Sequence, residues 1–396
     1  MNILKISSKN LSSKPLSAML TVVMLTMGVA LVSMLILVGE AFDESFKKNI
    51  KGIDMVVGAK GSPLQLILAA VYQIDNPTGN ISRAEAQKLA RNPMVANAIQ
   101  LSFGDSYRGR RIIGTSHEYP ALYAAGLAEG RLWESAFEAT VGAQVAEEFG
   151  LKTGDTFFSA HGDDMNADVH EEHPFTVVGV FDKTGTVVDR LLLTAQESVW
   201  SVHDSPGDTA TAANREITAM LIQFKNKMGM ISLPRLVNQQ TNMQAALPAI
   251  EINRPFELFG IGIAALRVLA IAIMLLGGIS VFVSMLNSLK ERAYEMAIIR
   301  SMGASRSQVF MMVMGEALLL GIAGTFLGLV VSHVGLAVLN SYADQQFGIA
   351  IDVWRLSSGE WILAAITIIL CIFAAIIPAL KTIRMDVSKV LSTYAQ

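Results

Sequence analysis

The chain has 396 residues, of which 52% are hydrophobic and 16% charged, and a mean hydropathy of +0.44. Soluble domains carry about 25% charged residues, and a water-facing exterior cannot be built from so little charge, so the apolar excess is expected to face lipid. The net charge of −3 argues against nucleic acid as a partner, and the lone Cys371 excludes an internal disulfide framework and any cysteine metal cluster.

Four stretches reach the roughly 20 apolar residues that a helix needs to cross about 30 Å of hydrocarbon. In chain order, an N-terminal segment (1–15) precedes span one (16–39), which carries no charge. Its apolar run exceeds that of a signal-peptide core, and no small-x-small cleavage site follows at Gly39-Glu40-Ala41-Phe42, so it reads as an uncleaved anchor. Residues 40–255 have ordinary globular composition. They lead into a stalk end and span two (256–289), a short connecting loop (290–308) and span three (309–339). A second short loop (340–360), span four (361–380) and a tail (381–396) complete the chain.

Lysine and arginine set orientation. Lys5, Lys9 and Lys14 lie before span one, and Lys290, Arg292, Arg300 and Arg306 between spans two and three. Lys381, Arg384 and Lys389 lie in the tail. The loop between spans three and four has Arg355 against Asp344, Asp352 and Glu360. Both termini are therefore expected in the cytoplasm and the large insert outside, with Trp354 and Trp361 anchoring the outer end of span four.

The insert reads as mixed α/β. Strand patterns occur at 94–99, 110–115, 138–142, 156–160, 175–180, 190–194 and 219–224. Helical patterns occur at 82–91, 144–149 and from Leu233 towards Ala249, with Ser82 and Glu85 spaced as a capping box. The expected fold is a membrane α-helical bundle of four transmembrane helices, with a large extracytoplasmic α/β insert of two lobes between helices 1 and 2.

Several chemistries are missing. No Gly-x-x-x-x-Gly-Lys-Ser/Thr phosphate loop occurs, Gly58-Ala59-Lys60-Gly61-Ser62 being too short, nor does HExxH or GxSxG. The chain is expected to be no enzyme and to need no cofactor, with any ATP hydrolysis on another subunit. Ionisable residues are nearly absent from the span interiors, which argues against an aqueous path. Arg267 reads as a snorkelling boundary residue and His333 as buried at an interface. Glu316, two turns into span three, is expected either to pair with Arg306 or Arg300 or to serve coupling. His161, His170 and His173 stand among acidic residues. They are weak candidates for a metal site and read more simply as a solvated loop between strands.

The loop between spans two and three carries the most information. Glu291 and Glu295 are spaced i,i+4, while Met296, Ile299 and Arg300 fall on another face. This predicts a short amphipathic helix ended by Gly303, with Ser305 able to cap the next helix. Such a helix could lie on anionic lipid, but glutamates among the arginines suit a charged protein groove better.

On these residues the chain resembles the MacB/FtsX-type permeases of ABC transporters. That family's loop pattern is matched by Glu291, Arg292, Glu295, Arg300, Gly303 and Ala304, with Glu316 following in span three. The approach to span one (Asn10-Leu11, Lys14, Leu20-Thr21, Gly28-Val29) and the exit from span four (Pro378-Ala379, Lys381, Arg384-Met385-Asp386-Val387, Val390-Leu391) are similar too. Outer-domain fragments agree at Val141-Gly142-Ala143 and Gly150-Leu151-Lys152-Thr153-Gly154-Asp155. The resemblance implies a bacterial inner-membrane permease working as a homodimer or close heterodimer on two cytoplasmic ABC ATPase subunits. It also implies transmission of their motion to a periplasmic domain without a channel through the bilayer. A periplasmic adaptor and an outer-membrane channel are further expected partners. Expected tasks are export of a peptide, amphipath or toxic compound. Extraction of lipoprotein or lipid, and FtsX-like regulation of a cell-wall hydrolase, are the alternatives.

Overall fold

The computed structural model describes residues 7, 9, 10, 15–160, 173–203, 215–347, 353–388 and 390. The chain divides into two compact units. Met1–Ala41, Phe259–Tyr342 and Ile351–Gln396 make one, and Phe42–Leu258 with Ala343–Ala350 make the other.

In the first unit four helices are long and apolar enough to cross a membrane. Span one belongs to the helix Pro15–Ile50, span two to Asn253–Glu291, span three to Arg306–Phe347 and span four to Ser358–Ile383. Each helix is longer than the apolar stretch that announces it. Hydropathy marks only the lipid-crossing part, whereas helical hydrogen bonding propagates until capped. Span one's helix, for example, continues through the i,i+4 pairs Asp43–Lys47 and Glu44–Lys48.

Lipid tails offer no hydrophobic driving force between helices, so the bundle depends on close packing. Leu25 and Val29 of span one are fully buried and sit against Gly324 and Gly328 of span three. A Cβ built at either glycine would lie 2.6 Å from the Cβ of Leu25 or Val29, respectively. Around Leu25 the bundle's main apolar cluster gathers Val281, Met285, Met312, Val313 and Ala375 from the other spans.

Phe42–Leu258 falls within one compact unit, and ten of its strands join in a single sheet. The path runs β12 (Met243–Ala246), β1 (Met55–Ala59), β11 (Ala219–Phe224), β3 (Val95–Tyr107), β4 (Arg110–Gly114), β9 (Leu192–Thr194), β6 (Glu138–Val141), β8 (Phe175–Phe181) and β5 (Leu127–Gly130). β7 (Thr156–Phe157) pairs with β8 beside the path. Among the described residues, the parallel pairs within this sheet are β4–β9 and β6–β8. A separate ribbon pairs β2 (Ile81–Ser82) with β10 (Glu216–Ile217).

Both faces of the sheet are covered. Val56, Leu101, Ala219 and Leu221 join one apolar cluster, while Met55, Val57, Met220 and Ile222 join another. Alternate residues of one strand therefore face opposite cores, which is why β1 and β11 read as continuous apolar runs. A third cluster, around Ile112, Val141, Phe175 and Leu192, covers the other end of the sheet.

Two local expectations need correction. Ser82 and Glu85 form no capping box: Ser82 makes no side-chain cap bond and is held in β2 opposite Glu216. The helical pattern from Leu233 towards Ala249 belongs to a helix Lys227–Gln240 that stops before β12. β12 is too short to show a period of its own, and its pairing with β1 makes it a strand.

Candidate functional site

The link between spans two and three is a short connector helix, Ala293–Ser301. A break at Arg292 separates it from span two, so Glu291 ends one helix and Glu295 begins the next instead of sharing a continuous face. Gly303 terminates the connector with φ +98°, where a side chain would be strained. Ser305 then caps span three: its Oγ accepts from the Gln308 N–H at 3.2 Å, while its own N–H donates to Gln308 Oε1 at 2.8 Å.

The expected outward charges do not all point outward. Arg292 is 7% exposed and Glu316 3%. Arg292 Nη1 donates to Glu316 Oε1 at 3.1 Å, and its Nε donates to Glu295 Oε2 at 3.1 Å. Glu316 is thus held by Arg292, not by Arg300 or Arg306. Helix geometry brings the N-cap of the connector over the third turn of span three, whereas Arg306 starts that span and Arg300 faces elsewhere. Asn10 adds a second donor, Nδ2 to Glu316 Oε1 at 2.6 Å, and Ser7 Oγ donates to the Met312 carbonyl at 3.0 Å. These bonds tie the N-terminal segment to the same charge pair.

Arg300 also works inward, Nη1 donating to the Met385 carbonyl at 2.8 Å. Met296 is 2% exposed and packs into the bundle's apolar cluster instead of facing outward, and Ile299 is half-buried. What the connector presents outward is Glu291, Tyr294, Glu295 (side chain 63% exposed), Ser301 and Met302 (82%). Beside it a polar cavity of about 190 Å³ is lined by Asn10, Ser17, Ser284, Asn287, Glu291 and Glu316 among others.

A second buried polar cluster occupies the other end of the bundle. Glu360, expected in a loop, lies inside the first turn of span four's helix and is 1% exposed. Its Oε1 accepts from Ser33 Oγ at 2.6 Å, and its Oε2 accepts from the Ser357 N–H at 2.9 Å in a capping box. Ser33 also bonds Ser332 Oγ at 2.9 Å, and Ser357 Oγ donates to Glu40 Oε1 at 2.7 Å. His333, half-buried, has Nδ1 3.6 Å from Glu360 Oε1. The span interiors are therefore less bare than hydropathy implies. The Ser-x-x-Glu spacing at 357–360 was the available signal for a helix start there.

His161 and His170 lie outside the described residues, and His173 stacks on Phe137 with ring centroids 5.0 Å apart. Among the described residues no group of three or more histidine, cysteine or acidic side chains is placed to hold a metal ion. Arg267, Trp354 and Trp361 are exposed.

Comparison with known proteins assigns both units. The MacB-like periplasmic core domain family matches residues 18–223, and the FtsX-like permease C-terminal family matches residues 267–387. The pyoverdine export ATP-binding/permease protein PvdT of Pseudomonas savastanoi pv. phaseolicola is 23% identical over 93% of this chain and 56% of its own length. The macrolide export ATP-binding/permease protein MacB of Escherichia coli is 35% identical over 31% of this chain and 18% of its own. This chain thus spans about half the length of PvdT, and its match to MacB is shorter. The periplasmic region of MacB from Actinobacillus actinomycetemcomitans aligns with a TM-score of 0.35 at 13% identity, covering 54% of this chain and 97% of that one. With a MacB-like core domain inserted after its first span and an FtsX-like C-terminal part carrying the other three, the chain belongs to the MacB/FtsX-type permeases.

Proposed function

We propose that this protein is the membrane subunit of an ABC exporter, in which the connector helix receives the motion of cytoplasmic ATPases and the bundle passes it to the periplasmic domain. The observation that carries the reading is the pair of tethers on the connector. Arg292 ties its start to span three and Arg300 ties its end to the segment after span four, while Glu291, Tyr294, Glu295 and Met302 face outward. A helix held this way moves with the spans when its outer face is pushed. The helices of spans one and two each have residues in both units, which gives the motion a covalent route. The export of pyoverdine by PvdT and of macrolides by MacB supports a peptide-like or amphipathic cargo. Two permease copies on two ATPases, with both termini cytoplasmic and the insert periplasmic, complete the proposed assembly.

Replacing Glu291 and Glu295 together by lysine tests the assignment. Removing a buried, hydrogen-bonded interface charge costs about 2–5 kcal/mol, so ATPase association is expected to fall tenfold or more at about 1.4 kcal/mol per decade. Because Glu295 also accepts from Arg292, thermal stability is measured alongside. Copurification of the ATPase at wild-type yield by a stably folded variant overturns the assignment.

A further inference from the structure

A second cavity, about 180 Å³, opens between the last turns of the span-two and span-four helices. Leu286, Leu289, Met296 and Met385 give it apolar walls, and Lys290 and Lys381 stand at its edge, both exposed. Among the described residues neither lysine is paired with a carboxylate. Arg300 lies alongside, bonded to the Met385 carbonyl, and Arg384 is exposed next to it. The carboxylate of this stretch, Asp386, accepts from the N–H and Oγ of Ser388.

Exposed apolar residues lie on the same two helices. Ile279 and Val283 are exposed on span two, and Phe373, Ile377 and Leu380 on span four, at the three- and four-residue spacings of one helix face. About three turns deeper the two helices touch, since a Cβ on Gly278 would lie 3.0 Å from Leu370 Cδ2. An apolar cleft between two spans thus ends in two ammonium groups.

We propose that this cleft is a binding site for an anionic phospholipid, its phosphate between Lys290 and Lys381 and an acyl chain along the apolar walls. Each half of the site asks for a different half of that ligand. A free aqueous anion would leave the leucine and methionine walls in water, and a neutral apolar occupant would leave two like charges at the edge of one cavity without a counterion. Basic clefts between spans at a membrane surface are where anionic headgroups are captured. A second copy meeting this face about a two-fold axis would bring its own Lys290 and Lys381 against these. Since Met296 belongs to the connector helix, the bound lipid would touch the element to which ATPase coupling is assigned above. The lipid site itself stands without that assignment.

The test is native mass spectrometry of the intact chain in mild detergent, titrated with phosphatidylglycerol and, separately, with phosphatidylethanolamine. The wild-type chain is expected to retain phosphatidylglycerol about tenfold better. Lys290→Gln with Lys381→Gln should abolish the preference at unchanged thermal stability. Arg267→Gln with Arg355→Gln, which removes the same charge elsewhere, should keep it. No preference in the wild type, or an undiminished one in the lysine double variant, overturns the proposal. Displacement of phosphatidylglycerol by millimolar inorganic phosphate would mean a simple anion site, and disulfide-linked dimers from Leu289→Cys would mean that a second copy covers the cleft. Either result also overturns it.

Discussion

Arg292 and Glu316, 24 residues apart in sequence, meet at 3.1 Å inside the bundle and are almost wholly removed from solvent. The pair fastens the start of the connector helix to span three, and Asn10 joins it from the N-terminal segment. Taking two charges out of water is costly, and only mutual attraction with further hydrogen bonds offsets it. Glu316 has both: a guanidinium and an amide donate to one of its oxygens.

Removing one partner should therefore hurt more than removing both. Arg292→Ala leaves a buried carboxylate without its counter-charge and is expected to cost about 3–5 kcal/mol. Arg292→Met with Glu316→Met should cost clearly less than the sum of the single changes. Chemical denaturation in detergent gives the comparison, and strict additivity would show that the two side chains do not interact.

The two methionines of the connector separate structure from docking. Met296 is 2% exposed and Met302 is 82% exposed. Met296→Ala is expected to cost about 2–5 kcal/mol of stability. Met302→Ala should stay within about 0.5 kcal/mol yet reduce ATPase association. Thermal melts read the first effect and copurification the second.

Close approach in the bundle depends on Gly324 and Gly328. Alanine at either site sets a methyl 2.6 Å from a Cβ on span one, which the spans can accept only by moving apart. Each substitution is expected to destabilise by about 1–3 kcal/mol, read as a lower SDS fraction at the unfolding midpoint.

In the insert, Arg131 grips Glu138 through Nη1 and Nη2 at 2.8 and 2.6 Å. The guanidinium bond, with backbone N–H donors from Glu134 and Ser135, pulls the Glu138 carboxyl from its ordinary 4.5 down to about 2. A carboxylate whose folded value is lowered adds stability that is fully present above the unfolded value and lost as pH falls through the folded one. Hydrogen exchange over residues 131–138 of the full chain should accelerate as pH drops from about 4.5 towards 2, after correction for intrinsic exchange. Arg131→Ala should weaken that pH dependence, leaving the part due to the Glu134 and Ser135 N–H donors.

Orientation is tested by labelling. Arg355→Cys should react with an impermeant maleimide on intact cells, and Ser305→Cys only after permeabilisation. The native Cys371 is buried and gives little background. External labelling at Ser305 would invert the proposed topology.

Much of this architecture was legible in the residues because it depends on local or averaged properties. Four apolar runs of helix length dictate four spans, since a helix satisfies every backbone group within such a run in hydrocarbon. The loop's Gly303 and Ser305 mark where one helix stops and the next starts, and a residue's φ and its cap need only near neighbours. Strands with clear boundaries, such as β4, β8 and β11, were readable for the same reason.

What the sequence could not decide is which side of each element meets which neighbour. Arg292 and Met296 look like docking groups in one dimension, and only the packing of the connector against span three turns them inward. Glu360 reads as one more loop charge until Ser33 of span one arrives at 2.6 Å. β12 becomes a strand only because β1 offers it an edge. Composition and periodicity fix what each segment can be, because those are sums over adjacent residues. Burial, charge pairing and strand edges involve partners tens or hundreds of positions away, and only the tertiary structure brings them together.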